Sequence, residues 1–301
     1  MKRILSKLQP YGEIDINSKF SDLTTLKVGG HVGYLAYPRD SFALQSMINV
    51  CNEENIPYKV IGNGSNLLCS DDPYDGVIIK LNHYFNQIYY DVDNVVEVQA
   101  GNSIVSLAFE VMREGLSGLE FASGIPGTVG GCIYMNAGAY KNSMSDIVES
   151  VQVLKDREIV WLSNEECEFG YRKSIFQDHN DWVILAARLK LTEGDEGEIK
   201  ELMQKRQARR FETQPLNMPS CGSVFRNGEE HFAWEYVDMI GYRGKKLGGA
   251  MVSEKHSNFI VNSGNAKASD VYNLICEIQD KVRDQFGVEL TTEVEKFNWK
   301  K

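Results

Sequence analysis

Two glycine-rich segments, IGNGSNLL (61–68) and GLEFASGIPGTVGGCIYMNAGAY (118–140), constrain this chain more than anything else in it. Each sets glycines beside small hydroxyl or amide residues, so the main chain can turn sharply and aim consecutive N–H groups at phosphate oxygens. Gly62, Gly64, Ser65 and Asn66 form one candidate wall of a pyrophosphate site, and Gly124, Gly127, Thr128, Gly130 and Gly131 the facing one. Neither segment is a Walker loop, because no Gly-Lys-Ser/Thr follows. Neither places GxGxxG between a strand and a helix with an acidic residue downstream, so an ordinary Rossmann site is disfavoured. Either segment alone also reads as tight turns; the pair together points to a phosphate-bearing ligand.

The surrounding pattern alternates helices and strands, which indicates an α+β protein. Leu44, Met47, Ile48 and Cys51 share a helical face behind Asp40 as N-cap, and Ile104, Leu107, Ala108 and Val111 make a second helix closed by Gly115. YKVI, GVIIKL, NVVEVQAG, IVESVQVL, REIVWL and WVILAARLKL read as strands. A charged helix, EGEIKELMQKRQARR, follows, and a cut near residue 195 separates the β-rich part from a Gly/Pro-punctuated second unit. Val271, Leu274, Ile275, Ile278, Val282 and Phe286 predict a final helix stopped by Gly287, before a strand-like VELTTEVEKF.

At 301 residues the chain exceeds the usual single domain and can bury a large cofactor. Its formal charge of −10 opposes attraction to nucleic acid or an anionic membrane. The six cysteines are scattered, without CxxC or a Cys/His cluster, so reduced thiols and no metal site are expected. The N-terminus is too polar for a signal peptide and no run of about 18 apolar residues occurs, so a cytoplasmic location is expected.

TTLKVGG (24–30) and the two glycine segments together resemble the FAD-binding signature of the UDP-N-acetylenolpyruvoylglucosamine reductase family (UDP-N-acetylmuramate dehydrogenases). FGYRKSIF (169–176), RRFETQPLNMPSCGSVFRN (209–227), GGAMVSEKHSNFIVN (248–262) and LTTEVE (290–295) resemble the family's remaining motifs, in the same order. The resemblance implies an FAD-binding fold of the vanillyl-alcohol-oxidase type with a smaller α/β substrate-binding domain. It places the FAD domain at 1–195, in two subdomains split near 75–80, with 294–301 packing back on it, and the substrate domain at 196–293. It implies NADPH-dependent reduction of UDP-N-acetylglucosamine enolpyruvate to UDP-N-acetylmuramate for peptidoglycan, by a monomer or weak oligomer. The length and the RRFETQP junction match the family's shorter branch, which lacks a tyrosine-bearing loop over the substrate.

Carried over residue by residue, the motifs add Lys27, Gly29, Gly30, Asn63, Leu67, Ile125, Pro126, Asn136, Ala137 and Gly138 to the flavin site. Hydride transfer to an enolpyruvyl ether drives negative charge onto its carboxylate and leaves a carbon to be protonated, so a cation and an acid are needed. Arg172 fits the cation, since guanidinium stays charged and offers a planar fork. By resemblance Ser223 donates the proton and Glu293 assists, with Glu295 as the competing carboxylate. Tyr171, Lys173, Arg226, Asn227, Lys255, His256 and Asn258 are candidate contacts to the nucleotide diphosphate or carboxylate.

Three positions depart from the family pattern. Lys27 stands where arginine is common and keeps the charge, and Gly228 replaces a usual proline near Ser223. His31 makes VGGH similar to the Gly-Gly-His of covalent flavin oxidases, although the family binds its flavin non-covalently and that is the expectation here. An alcohol or sugar oxidase of the same fold is one rival reading; it would lack the Arg172, Ser223 and Glu293 motifs. A nucleotide-sugar binding protein without turnover is the other, and the presence of all three side chains opposes it.

Overall fold

Caps stand where the helical periodicity starts and stops, and the helices form between them. In the computed structural model, which describes residues 2–81, 84–228 and 230–300, Asp40 accepts the Ala43 N–H at 2.7 Å to open the helix Ser41–Glu53. Ser103 does the same for Ile104–Arg113, and Gly115 follows it at φ 68°. Gly287, in the left-handed conformation, ends the long helix Ala268–Phe286.

The chain divides into two compact units that interleave in sequence. The first comprises 1–16, 34–63 and 76–208. Its antiparallel five-stranded sheet runs in the order Glu158–Ser163, Val148–Lys155, Val183–Lys190, Val95–Gln99, Ile88–Tyr90. A four-stranded sheet carries Gly12–Asp15 at one edge and Tyr58–Ile61 at the other, the latter parallel to Tyr74–Lys80. One apolar core containing Leu44, Val77, Leu107, Val151 and Leu189 joins these layers.

The second unit comprises 17–33, 64–75 and 209–301. Its sheet runs Ser220–Ser223, Phe259–Asn262, Ala250–Val252, Lys246–Leu247, and its core gathers Leu26, Val28, Leu68, Phe225, Ile260, Leu274 and Ile278. Leu67–Cys69 pairs in parallel with Glu295–Phe297, which draws the 64–75 segment into this unit.

This division differs from a cut at 195. The helix Glu196–Thr213 belongs to the first unit up to residue 208, because Ile199 and Met203 bury in that unit's core. The C-terminal strand joins residues 67–69, which themselves lie in the second unit, and Lys301 is outside the described residues. VELTTEVEKF is regular strand only over Glu295–Phe297, since Thr291 and Glu293 hydrogen-bond to the irregular 224–226 segment. All six cysteines are free thiols and five are buried. No helix among the described residues is long and apolar enough to cross a membrane, and those residues hold no His/Cys/Asp/Glu cluster able to bind a metal.

Candidate active site

In the first unit the two glycine segments meet. A Cβ built on Gly62 would lie 2.3 Å from Oγ1 of Thr128, so only glycine lets the 61–63 turn close on the 124–131 segment. Thr128 is the N-cap of the helix Val129–Tyr134, its hydroxyl accepting the Gly131 N–H at 3.3 Å. Gly130 approaches Ala100 so closely that a Cβ would sit 2.9 Å from that side chain. The N–H groups of Val129 and Gly130 donate to the carbonyls of Asn102 and Ala100 at 2.9 Å each, so this helix start is satisfied within the protein. Asn63, Gly124 and Thr128 keep main-chain N–H groups with no protein acceptor among the described residues, and Thr128 is only 4% exposed. A buried donor left in this way requires a partner, and an anionic oxygen supplies one. The residues present therefore fit a phosphate-bearing cofactor.

Arg172 is held against the same segment. Gly170 and Lys173 exchange both main-chain hydrogen bonds, making a tight turn in which Arg172 takes φ 55°, an unfavourable region for a side chain. Asn136 braces that turn by donating to the Gly170 carbonyl at 2.9 Å, while its own oxygen accepts the Ser145 N–H at 2.9 Å. Gln177 donates to the Arg172 carbonyl at 3.1 Å and to that of Tyr134 at 3.1 Å. Arg172 Nη2 donates to Gly138 at 2.9 Å, and its guanidinium lies 5.3 Å from the ring centre of Tyr171, itself 58% exposed. Burial pushes the Cys132 thiol up to about 12 against the opposing charge of Arg172. Asn136, expected among the flavin contacts, thus spends its side chain on bracing Arg172. Gln177 does the same, and no motif marked it.

In the second unit Ser223 and Glu293 stand on adjacent main chains. Ser223 ends the strand Ser220–Ser223, and the next residue, Val224, accepts the Glu293 N–H at 2.7 Å. Arg226 N–H donates to Thr291 at 2.9 Å, and Phe225 bridges Thr292. The Cys221 thiol, two residues before Ser223, is pushed up to about 12 by burial, with the charge of Glu293 adding to the effect. Asn66 donates to the Glu293 carbonyl at 3.0 Å and accepts the Glu295 N–H at 2.9 Å, so the 64–67 turn is stitched to the Glu293 strand.

Other expected residues lie in the second unit. Gly64, at φ 61°, would place a Cβ 2.6 Å from the Leu23 carbonyl, and one on Gly30 would fall 2.2 Å from the Asp71 carbonyl. Gly29 is at φ 111°. Lys27 and His31 are exposed, and Thr25 Oγ1 ties their loop to the Ser220 carbonyl at 2.7 Å. Asn227 accepts the Ala233 N–H at 3.2 Å at the start of the helix Ala233–Met239. Lys255 donates to the Phe211 carbonyl and lies over that ring. His256 is kept below the ordinary imidazole range by burial and by Arg243.

A family model described as an FAD binding domain matches residues 32–163, and one described as the C-terminal domain of UDP-N-acetylenolpyruvoylglucosamine reductase matches 214–297. The UDP-N-acetylenolpyruvoylglucosamine reductase of Anoxybacillus flavithermus is 43% identical over 285 residues, 94% of each chain. The chain belongs to the UDP-N-acetylenolpyruvoylglucosamine reductase family. The Caldanaerobacter subterraneus reductase is 42% identical over 96% of this chain and 95% of its own. The crystal structure of the Thermus caldophilus reductase superposes with a TM-score of 0.82 at 35% identity, covering 95% of this chain and 100% of that one. Berberine bridge enzyme of Eschscholzia californica, at 15% identity and a TM-score of 0.50 over 64% of this chain and 44% of its own, shares the fold alone. The fold is therefore that of this family, an α+β chain carrying an FAD-binding domain.

Proposed function

We propose that this chain reduces UDP-N-acetylglucosamine enolpyruvate to UDP-N-acetylmuramate at the expense of NADPH, a cytoplasmic step in making peptidoglycan precursors, as a monomer or weak oligomer. The observation that carries this reading is the 43% identity to a reductase of that name across 94% of both chains. A bound FAD would supply the hydride chemistry that links NADPH to the terminal carbon of the enolpyruvyl group. The N–H groups of Asn63, Gly124 and Thr128 would hold its phosphates, and the glycines at 62 and 130 allow the close main-chain approaches that shape those turns.

The chain's own side chains manage the charge that follows. Arg172, locked in its turn by Asn136 and Gln177, offers a permanent cation to the substrate carboxylate as negative charge builds there. Ser223 gives its proton to the carbon beside the ether oxygen, completing the reduced lactyl group. A serine hydroxyl is a weak acid, so the neighbouring Glu293 orients it and holds the proton network. Tyr171, Arg226, Asn227, Lys255 and His256 remain candidates for the uridine diphosphate end.

An anaerobic absorbance titration tests the reading. NADPH should bleach the flavin, and UDP-N-acetylglucosamine enolpyruvate should restore it. In Ser223→Ala the bleaching should persist while reoxidation slows on the order of 100-fold or more. Reoxidation at the wild-type rate would remove Ser223 from the mechanism, and flavin reoxidised only by oxygen would favour an oxidase. Acid precipitation should release the flavin into the supernatant, since His31 is expected to carry none covalently.

A further inference from the structure

We propose that Asn258 is a positioning residue whose carboxamide stands in for a missing peptide of the sheet and so sets the main chain of Ser223 beside that of Glu293. The proposal rests on the assignment of Ser223 as proton donor.

The ladder between Ser220–Ser223 and Phe259–Asn262 is irregular. Ser220 faces Val261 and Ser223 faces Phe259, so three steps on one strand are matched by two on the other. Gly222, at φ 78°, sits within this irregularity. Beyond Ser223 the regular pairing ends, and the peptide groups of the buried Phe225 face the Asn258 side chain. Its Oδ1 accepts the Phe225 N–H at 2.9 Å and its Nδ2 donates to the Phe225 carbonyl at 2.8 Å. The Asn258 carbonyl also accepts the Val224 N–H, at 2.8 Å. One carboxamide thereby reproduces the donor and acceptor of a neighbouring strand.

The opposite edge of the same segment receives the Glu293 strand, through the Glu293 N–H on Val224 at 2.7 Å and the Arg226 N–H on Thr291 at 2.9 Å. Residues 224–226 therefore lie between Asn258 and Glu293, immediately after Ser223. Asn258 is itself fixed, because its N–H donates to Nδ1 of His256 at 3.3 Å and Ser253 Oγ accepts the Lys255 and His256 N–H groups. With 3% of its surface exposed and both polar atoms engaged, its side chain acts through the main chain and not on a ligand.

Asn258→Asp preserves size but sets a second oxygen against the Phe225 carbonyl, and Asn258→Ser removes the donor–acceptor pair without that repulsion. Both are tested as flavin-loaded proteins in anaerobic stopped flow, beside Ser223→Ala. Bleaching by NADPH should stay within about twofold of wild type. The limiting rate of reoxidation by UDP-N-acetylglucosamine enolpyruvate should fall on the order of 10- to 100-fold, the penalty for displacing a reacting group by about 1 Å. The half-saturating substrate concentration should hardly change, and the solvent isotope effect on reoxidation should rise. A raised half-saturating concentration at an unchanged limiting rate would make Asn258 a substrate contact and overturn the proposal. So would equal slowing of both half-reactions, or loss of flavin and folded structure in both variants, either of which would reduce the residue to a core support. If Ser223→Ala is slow and the Asn258 variants are not, the positioning role alone fails; if Ser223→Ala reoxidises normally, the proton-donor assignment beneath it fails.

Discussion

Gly62→Ala is the substitution whose effect the structure defines most sharply. The added methyl would fall 2.3 Å from Thr128 Oγ1, with the Thr128 methyl at 3.2 Å and its Cβ at 3.3 Å. Thr128 cannot swing away freely, because it is buried and its hydroxyl caps the helix Val129–Tyr134. Overpacking costs about 1–3 kcal/mol, and a lost N-cap costs about 1 kcal/mol more. The variant should thus be destabilised by about 2–4 kcal/mol, a fall of roughly 5–12 °C in the Tm of the unit. Thr128→Ala alone should cost about 1–2 kcal/mol through the cap and a buried methyl. It also removes the two nearest obstacles, so Gly62→Ala/Thr128→Ala should be scarcely less stable than Thr128→Ala. The assay is thermal and urea unfolding of flavin-free protein, which removes stabilisation by the ligand. A double variant whose losses add to within about 0.5 kcal/mol would refute the argument that the two glycine segments touch through this pair. In parallel, the single Gly62→Ala protein should retain less flavin after gel filtration.

Arg172→Gly should leave stability within about 1 kcal/mol, since relief of the left-handed backbone offsets the lost hydrogen bond to Gly138; flavin reoxidation by substrate should nevertheless collapse, and Arg172→Lys should fall between, as a point charge without the planar fork. His256 is buried and held below the ordinary imidazole range, so the unfolded chain takes up a proton before the folded one does. Stability should accordingly fall as pH drops through about 6.5 and go on falling until the folded-state imidazole also protonates; His256→Gln should flatten that limb of a Tm-against-pH curve, and an unchanged slope would refute the assignment.

Local signals carried far along this chain. Asp40 and Gly287 cap the helices they were expected to cap, because a cap depends on residues three or four positions away. The apolar stretches around 148–163 and 183–190 formed strands for a similarly short-range reason. The glycine segments announced close main-chain approach, although not which atoms would approach. That Gly62 meets Thr128, while Gly64 meets Leu23, depends on partners dozens of residues distant.

Asparagines show the same limit from the side of the site. Asn66, Asn136 and Asn258 stand in motifs where an amide suggests a ligand, yet their hydrogen bonds reach Glu293, Gly170 and Phe225. An amide in a polar motif looks alike whether it faces a ligand or an irregular stretch of main chain. Gln177 carried no signal at all, since its role exists only once Tyr134 and Arg172 are adjacent.

What the amino-acid order determined by itself was thus the α+β class, the tight glycine turns and the family, each written in short-range pattern or in motifs kept in sequence. Only the tertiary structure decided that residues 17–33 and 64–75 leave the first unit for the second. That exchange rests on the parallel pairing of Leu67–Cys69 with Glu295–Phe297 and on burial of Leu26, Val28 and Leu68 with the second core, contacts between residues some 200 positions apart. Pairing of that range leaves no local mark, because its hydrogen bonds and buried area come into being only when distant strands meet.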